Sequence, residues 1–137
     1  MATVLCAIDG GAASEEALRG AVSDCRARGA KLHLLGVVAT PRLEAPSPAY
    51  GERVRRFQDV EYALVHGARA ARAAGLSPTI SIRAGDLAAE ALAEARRVGA
   101  TEALLAREHG LLRRRLEVER LAFVVAPEPV GLRPAAA

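Results

Sequence analysis

An acid followed by two glycines is the part of this sequence best suited to chemistry. Asp9 ends the apolar run 3–8, and Gly10 and Gly11 follow it directly. Glycine adopts the backbone angles of a tight turn, and Ser14 then suits the N-cap of a helix with an acidic first turn. Asp9 would stand at the carboxyl end of a strand, the edge at which open α/β sheets bind ligands. This sequence of strand, turn and helix is typical of one half of a nucleotide-binding site.

A hydrolytic set can also be drawn from the sequence. Ser14, His109 and Asp9 would supply a nucleophile, a base and an acid if neighbouring strand ends meet. However, Ser14 already serves as a helix cap in this interpretation, and the G-x-S-x-G elbow of the α/β hydrolases does not occur. No GKS or GKT sequence occurs, which excludes a P-loop enzyme. We predict no catalytic residue and a protein that is not an enzyme, with weak hydrolysis as the open alternative.

Histidines and cysteines give no metal-binding pattern. His33 lies in a predicted strand and His66 on a predicted helix, and neither has ligand-spaced neighbours. Cys6 and Cys25 are predicted to be buried thiols, since buried cysteine behaves as a small apolar residue. We therefore predict no metal site.

Composition limits the class of protein and its partners. The chain has 137 residues, 51% apolar, without an apolar run long enough to span a membrane or a signal segment. The net charge is +3, but the arginines are scattered among acids and only 3% of residues are aromatic. Stacking platforms for single-stranded bases are therefore few. We predict a cytoplasmic protein with no nucleic-acid and no membrane partner.

Strand-like and helix-like segments alternate along the chain. Apolar runs predict strands over 3–8, 31–38, 79–84, 102–106 and 121–126. Helical periodicity predicts helices over 15–28, 49–74 and 87–98, and a short one over 111–120. The stripe of the second helix is formed by Tyr50, Val54, Phe57, Leu64, Ala68 and Ala71.

This alternation predicts an α/β fold, a three-layer, doubly wound sheet of five parallel strands in the order 3-2-1-4-5. Residues 1–127 would form a single domain, and residues 128–137 an extended or disordered tail. Strands 1 and 4 would be neighbours at the switch point. Asp9 and residues 106–110 should then line one crevice.

Several segments, in this order and spacing, resemble the universal stress protein family. They are VLCAIDG at 4–10 before SEEAL at 14–18, LLGVV at 34–38, Gly85-Asp86 before an alanine-rich helix, and GATE at 99–102. The resemblance covers nearly the whole chain and implies an ATP site. It implies an acid at the end of strand 1, here Asp9 beside Gly10, an apolar residue at the end of strand 2, here Val37, and a phosphate cradle after strand 4.

The phosphate cradle is where this chain departs from the family. The family pattern is G-x-x-G-x(9)-G-[ST], but Arg107 replaces the first glycine, Gly110 alone is kept, and no Gly-Ser or Gly-Thr follows. Glycine lets successive backbone N–H groups close on phosphate oxygens, and a side chain prevents this. The fourth helix is also shortened. We therefore expect no triphosphate bound in the family's manner.

Two functions follow from these patterns. The first is a dimeric binding or interaction module in stress response or regulation, with an unidentified protein partner. Its homodimer would pair through the apolar edge strand that begins with Leu121 and ends with Ala126. The alternative is an adenine nucleotide (AMP, ADP or ATP) as cofactor, held by Asp9, Val37 and a substituted arginine phosphate site.

Each proposed ligand contact also has a structural alternative. Asp9 would otherwise cap the glycine turn, and Val37 would otherwise belong to the core. Arg107 and the cluster Arg113, Arg114 and Arg115 would hold phosphate through guanidinium forks. Because Arg113 is spaced four residues from Glu117, the cluster would otherwise be a solvated, self-paired helix face.

Overall fold

The computed structural model describes residues 2–11, 14–39, 50–105 and 122–125, the last four and residue 50 by backbone only. The elements in chain order are β1 (Thr3–Ile8), α1 (Ser14–Arg28), β2 (Lys31–Ala39), α2 (Tyr50–Ala73), β3 (Thr79–Gly85), α3 (Leu87–Val98), β4 (Glu102–Leu105) and β5 (Ala122–Val125). The bounds of β1 to β4 and of the three helices agree with the predicted ones to within one residue. The predicted helix over 111–120 and the tail over 128–137 lie outside the described residues.

The sheet is parallel, and its first four strands lie in the order β3-β2-β1-β4. This confirms the predicted α/β class and the predicted order of these strands. Thr3 of β1 is paired with Lys31 of β2, and Val4 with Glu102 of β4. The backbone of β5 pairs in parallel with β4 on its outer side. Strands β1 and β4 are therefore neighbours, as the switch point requires.

Two apolar cores lie on opposite faces of the sheet. Alternate residues of β1 enter them: Val4, Cys6 and Ile8 pack with α1 and α2, whereas Leu5 and Ala7 pack with α3. Each of these β1 residues is at most 1% exposed. A strand buried on both faces must be apolar at successive positions, which explains why β1 reads as an unbroken apolar run.

Helix α2 lies directly on β2. A Cβ atom added to Gly36 would lie 2.5 Å from Val60 Cγ1 and 2.7 Å from Leu64 Cδ1, so a larger residue in β2 would push the helix away. Val60 and Leu64 are buried, but Phe57 is 43% exposed. The predicted stripe was therefore wrong at Phe57, and Val60 takes the core position instead.

A buried polar cluster joins β2, β3 and α3. His33 Nδ1 lies 2.6 Å from Thr79 Oγ1, and its Nε2 lies 2.8 Å from both Ser81 Oγ and Glu94 Oε2. Ser81 also donates to Glu94, and Arg97 donates to both carboxylate oxygens at 2.7 Å. These hydrogen bonds, those from Arg97 first, hold the pKa of Glu94 well below its usual range. Burial of a carboxylate normally opposes its charge, so these partners keep Glu94 ionised.

Both cysteines are buried free thiols, as predicted. Burial raises the pKa of Cys6 to about 12 and that of Cys25 to about 11. Thiols in such an environment are unreactive, because the thiolate is the reactive form.

No helix in the described ranges is both long and apolar enough to cross a membrane.

Candidate functional site

A cavity of about 370 Å³ opens at the carboxyl edge of the sheet, beside the turn that follows β1. Three elements form it: the end of β1 with its turn, the end of β2, and the second and third turns of α2. Its lining residues are Asp9, Gly10, Gly11, Val38, Ala39, Arg56, Asp59 and Val60. The sheet edge predicted from the sequence therefore carries a cavity at the predicted acid.

Asp9 organises the turn. Its Oδ1 accepts a hydrogen bond from the Gly11 backbone N–H at 2.9 Å and lies 3.5 Å from Ser14 Oγ, which donates to it. The turn-capping role considered for Asp9 is thus present in the structure. Both contacts use the same carboxylate oxygen, so the cap does not occupy Oδ2.

Ser14 differs from its predicted role. It is the first residue of α1 rather than the residue before it. Its backbone N–H donates to Gly11 O at 3.1 Å, and its hydroxyl points to Asp9 instead of to the backbone of the next turn. Ser14 is 2% exposed, so its hydroxyl supports the Asp9 carboxylate from within the fold.

Gly10 is required at its position for two reasons. Its φ of +82° lies in the left-handed region, which side chains other than glycine disfavour. A Cβ atom there would also lie 3.1 Å from Val60 N and 3.2 Å from Asp59 C. Helix α2 therefore rests on the glycine turn, and this contact closes one wall of the cavity.

The structure places Val37 in the core and Val38 at the cavity. Val37 is 1% exposed and packs with Leu5, Leu35 and the α3 face of the sheet. Val38, which points to the opposite face because side chains alternate along a strand, lines the cavity. The core alternative for Val37 is what its side chain does here.

Two charged residues of the cavity were missed by the sequence interpretation. Arg56 and Asp59 lie on α2, and Arg56 Nη2 donates to Glu52 Oε1 at 2.8 Å. Within the described residues, Asp59 takes part in no hydrogen bond or ion pair. The signal in the sequence that could have placed Asp59 near the sheet is its position directly before Val60, which is buried. No motif marks it.

A second groove, of about 520 Å³, runs between α1 and α2. It shares Gly10, Gly11 and Asp59 with the cavity, and the rings of Tyr62 and His66 lie along it with centroids 4.2 Å apart. Asp59 thus stands where the two spaces meet.

The predicted phosphate side of the site is not among the described residues. Arg107, His109, Gly110 and the cluster 113–115 all fall outside them, so their roles stay predictions. Across the residues that are described, no group of three His, Cys, Asp or Glu side chains could hold a metal ion.

The parallel strand order and the helices on both faces define a doubly wound α/β fold, with a cavity at the carboxyl end of its first strand. The family model described as the universal stress protein family matches residues 1–118. The chain therefore belongs to the universal stress protein family. Among curated proteins, no sequence matches it significantly.

Solved structures agree with this family. A protein of the universal stress protein family from Burkholderia pseudomallei has a TM-score of 0.73 at 19% identity, covering 90% of this chain and 94% of that one. The universal stress protein from Archaeoglobus fulgidus in complex with dAMP has a TM-score of 0.60 at 14% identity, covering 80% and 84%. An Arabidopsis thaliana family protein with AMP bound has a TM-score of 0.52 at 18% identity, covering 78% and 76%. At these identities the likeness shows the shared fold.

Proposed function

We propose that this chain binds an adenine nucleoside or nucleotide in the cavity beside Asp9 and acts as a binding module, not as an enzyme. The observation that carries the proposal is the cavity itself, of about 370 Å³, at the carboxyl edge of β1 and β2. Open α/β sheets bind ligands at this edge. Two proteins of similar fold, solved with AMP and with dAMP, support the choice of ligand.

Each wall of the cavity has a proposed task. Asp9 accepts a hydrogen bond from the ligand through Oδ2, since Oδ1 already serves the turn. Gly10 and Gly11 let the ligand approach the backbone closely, because they carry no side chain. Val38, in place of the predicted Val37, offers an apolar surface to the base. Arg107 and Gly110 are proposed to lie on the phosphate side.

A thermal-shift experiment tests this proposal. With adenosine, AMP, ADP or ATP at 100 times its dissociation constant, ligand binding adds about 2.7 kcal/mol to the unfolding free energy. For a chain of this size that raises Tm by about 8 °C. No shift with any of the four ligands at millimolar concentration would refute nucleotide binding.

Two variants make the experiment specific to the site. Asp9→Asn keeps an oxygen that can accept from the Gly11 N–H, so the turn is retained while the charge is removed. We expect affinity to fall about tenfold, because hydrogen bonds to charged groups exceed neutral ones by about 1.4 kcal/mol. Glu61→Gln removes an equal charge from an exposed position of α2 outside the cavity. This control variant should bind like the wild type.

The second candidate function is a dimeric interaction module that binds no ATP. Arg107 in place of the family's glycine favours it, as does the position of β5 on the outer side of β4. In this proposal a cytoplasmic homodimer pairs through the strand from Leu121 to Ala126 and meets an unidentified protein partner. Sedimentation should then show a dimer at micromolar concentration, and a monomer would refute the pairing.

A further inference from the structure

Strand β3 lies at one edge of the described sheet, and side chains on both of its faces are exposed. It pairs with β2 on one side, and no other described strand lies beside it. A strand edge offers backbone N–H and C=O groups to another chain, and proteins usually protect such an edge with proline, lysine or a bulge. Residues 79–85 contain neither proline nor lysine. The seven residues of β3 therefore form an edge to which a further strand can be added.

Two isoleucines of β3 lie on the face of the sheet that α1 and α2 cover. Ile80 is paired with Leu34 of the α1 and α2 core. Ile82 is paired with Gly36, on which Val60 packs. Because paired residues of neighbouring strands point to the same face, both isoleucines point towards α2. Both remain exposed, since α2 does not cover the outer edge of β3.

Helix α2 adds two more apolar side chains to this surface. Gly67 faces α1, because a Cβ atom there would lie 2.7 Å from Leu18 Cδ2. Helical spacing places Phe57 and Val65 on the opposite side of α2, towards β3, which α2 contacts. Four side chains, each between 37% and 45% exposed, form what we call the β3 patch: Phe57, Val65, Ile80 and Ile82. The free edge therefore has an apolar flank on the α2 side.

The other face of β3 is held by the buried polar cluster. The hydroxyl groups of Thr79 and Ser81 contact the ring of His33, and Arg83 Nη2 lies 3.5 Å from Glu94 Oε1. These contacts fix three alternate side chains of β3 on the α3 side of the sheet. The edge is therefore ordered before a partner binds, which lowers the entropy cost of binding.

Two arginines share one buried carboxylate on that face. Arg97 donates to both oxygens of Glu94 at 2.7 Å, and Arg83 makes a longer contact with the same group. Glu94 is buried, whereas both arginine side chains are half-exposed. The acid Glu90 lies against Gly85, at the carboxyl end of the strand. The surface beside residues 79–83 therefore presents guanidinium groups whose charge one buried carboxylate only partly compensates.

We infer that the β3 edge binds an extended segment of a partner protein in which apolar and acidic residues alternate. Successive side chains of an added strand point to opposite faces of the sheet. On one face they meet the β3 patch, and on the other they meet Arg83 and Arg97. Backbone hydrogen bonds along the edge supply affinity, and the alternating side chains supply specificity. This surface lies outside the cavity lining, so the inference does not rest on nucleotide binding.

Titration of the full-length wild-type chain with a synthetic peptide tests the inference at low salt. The probe is a capped peptide as long as β3 that alternates glutamate and valine, and backbone amide chemical shifts report its position. We expect the amides of residues 79–85 to shift, with a dissociation constant of about 1 mM or lower. A peptide with lysine in place of glutamate should bind at least about tenfold more weakly, because it meets two arginines.

A second control peptide separates strand addition from general attraction between charges. It has the composition of the probe, but its valines are contiguous, so it cannot place apolar and acidic side chains on separate faces. We expect it to bind at least about tenfold more weakly than the alternating probe. Neither control peptide requires a variant of the protein, so neither depends on folding of a variant.

Two variants locate the binding surface. Arg83→Gln should weaken binding of the probe about threefold, the size of an exposed ion pair. Arg19 also lies near one carboxylate, that of Glu15 at 3.4 Å, but on α1. Arg19→Gln is therefore the matched control and should bind the probe like the wild type. Ile82→Thr keeps a β-branched residue in the strand but removes apolar surface, and it should weaken binding about threefold.

The contrary results are distinct. No binding at millimolar peptide, shifts confined to surfaces other than β3, or equal affinities for the glutamate and lysine peptides would each overturn the inference. If the amides of residues 79–85 shift with protein concentration before any peptide is added, a second copy of this chain occupies the edge, which also overturns it. Nucleotide is absent from these titrations, so their outcome leaves the proposed function standing.

Discussion

Replacing Gly10 by alanine should destabilise the protein through two separable effects. The first is conformational, because a residue with a Cβ atom at φ +82° costs about 1 kcal/mol or more. The second is crowding, since the new Cβ would lie 3.1 Å from the backbone nitrogen of Val60. Backbone atoms of a packed helix cannot rotate away as a side chain does. We expect a total loss of about 3 kcal/mol in unfolding free energy.

Gly75 provides a matched control for the first effect. Its φ of +86° is nearly that of Gly10, but an added Cβ would meet no heavy atom within 4 Å among the described residues. Gly75→Ala should therefore lose only the conformational part, about 1 kcal/mol. The difference between the two variants measures how tightly α2 rests on the glycine turn.

Urea unfolding followed by circular dichroism is the assay, with equal m-values as the check that the unfolded states are comparable. Gly51→Ala adds a second control, since Gly51 lies in α2 and an added Cβ would meet no heavy atom of the described residues within 4 Å, and this variant should gain about 0.5–1 kcal/mol in unfolding free energy. If Gly10→Ala costs no more than Gly75→Ala, α2 does not press on the turn. That result would contradict the close contact of Asp59 and Val60 with the Gly10 turn, which forms one side of the cavity.

Two further predictions concern groups buried away from the cavity. Glu94→Gln should lower the unfolding free energy by about 2 kcal/mol at pH 7, because the amide replaces the charged acceptor of the two Arg97 hydrogen bonds with a neutral group. Since the pKa of Glu94 is depressed in the folded state, this stabilisation is present above the unfolded pKa of about 4.3 and declines as the pH falls. Urea titrations at pH 7 and pH 3 should show the difference between wild type and variant shrinking, and an equal difference at both would contradict it. Cys6 and Cys25 should resist iodoacetamide at pH 8 in the folded chain and react once it is unfolded, because burial raises the pKa of these thiols to about 12 and about 11. Mass spectrometry that finds native labelling at the unfolded rate would refute their burial.

The order of the first four strands was predictable because the chain repeats one local pattern. Apolar runs such as 3–8 reflect burial on both faces, and the runs 3–8 and 79–84 are each followed by a glycine and an acid where the turn must form. Asp86 and Gly99 show how local this information is. Asp86 accepts from the Ala89 N–H at 3.0 Å as an N-cap, and Gly99 ends α3 at φ +72°. Both roles depend on a few adjacent residues.

The walls of the cavity were predictable only in part. Asp9 and Gly10 carry a local signal, but the contribution of α2 depends on how that helix settles on β2 and on the turn. Apolar periodicity favoured Phe57 for the core. In the structure Val60 packs against Gly36, where there is no side chain, and Phe57 is exposed. That register then carries Asp59 to the cavity. Such a fit between distant segments is tertiary, so the position of Asp59 next to Val60 becomes informative only once Val60 is known to be buried.

The buried cluster around His33 escaped prediction for a similar reason. His33 and Glu94 are 61 residues apart, and each alone is typical of a solvated position. Their burial becomes favourable only when Arg97 and Ser81 complete the hydrogen bonds, because an unpaired buried charge is costly.

The location of bound nucleotide is tested most directly by chemical-shift mapping of backbone amides during a titration with AMP. Binding in the cavity beside Asp9 predicts the largest changes at Gly10, Gly11, Val38 and Asp59, with little change along the outer face of α3. If saturating AMP leaves these four amides unmoved, or if the changes cluster on α3, nucleotide binding in this cavity is contradicted.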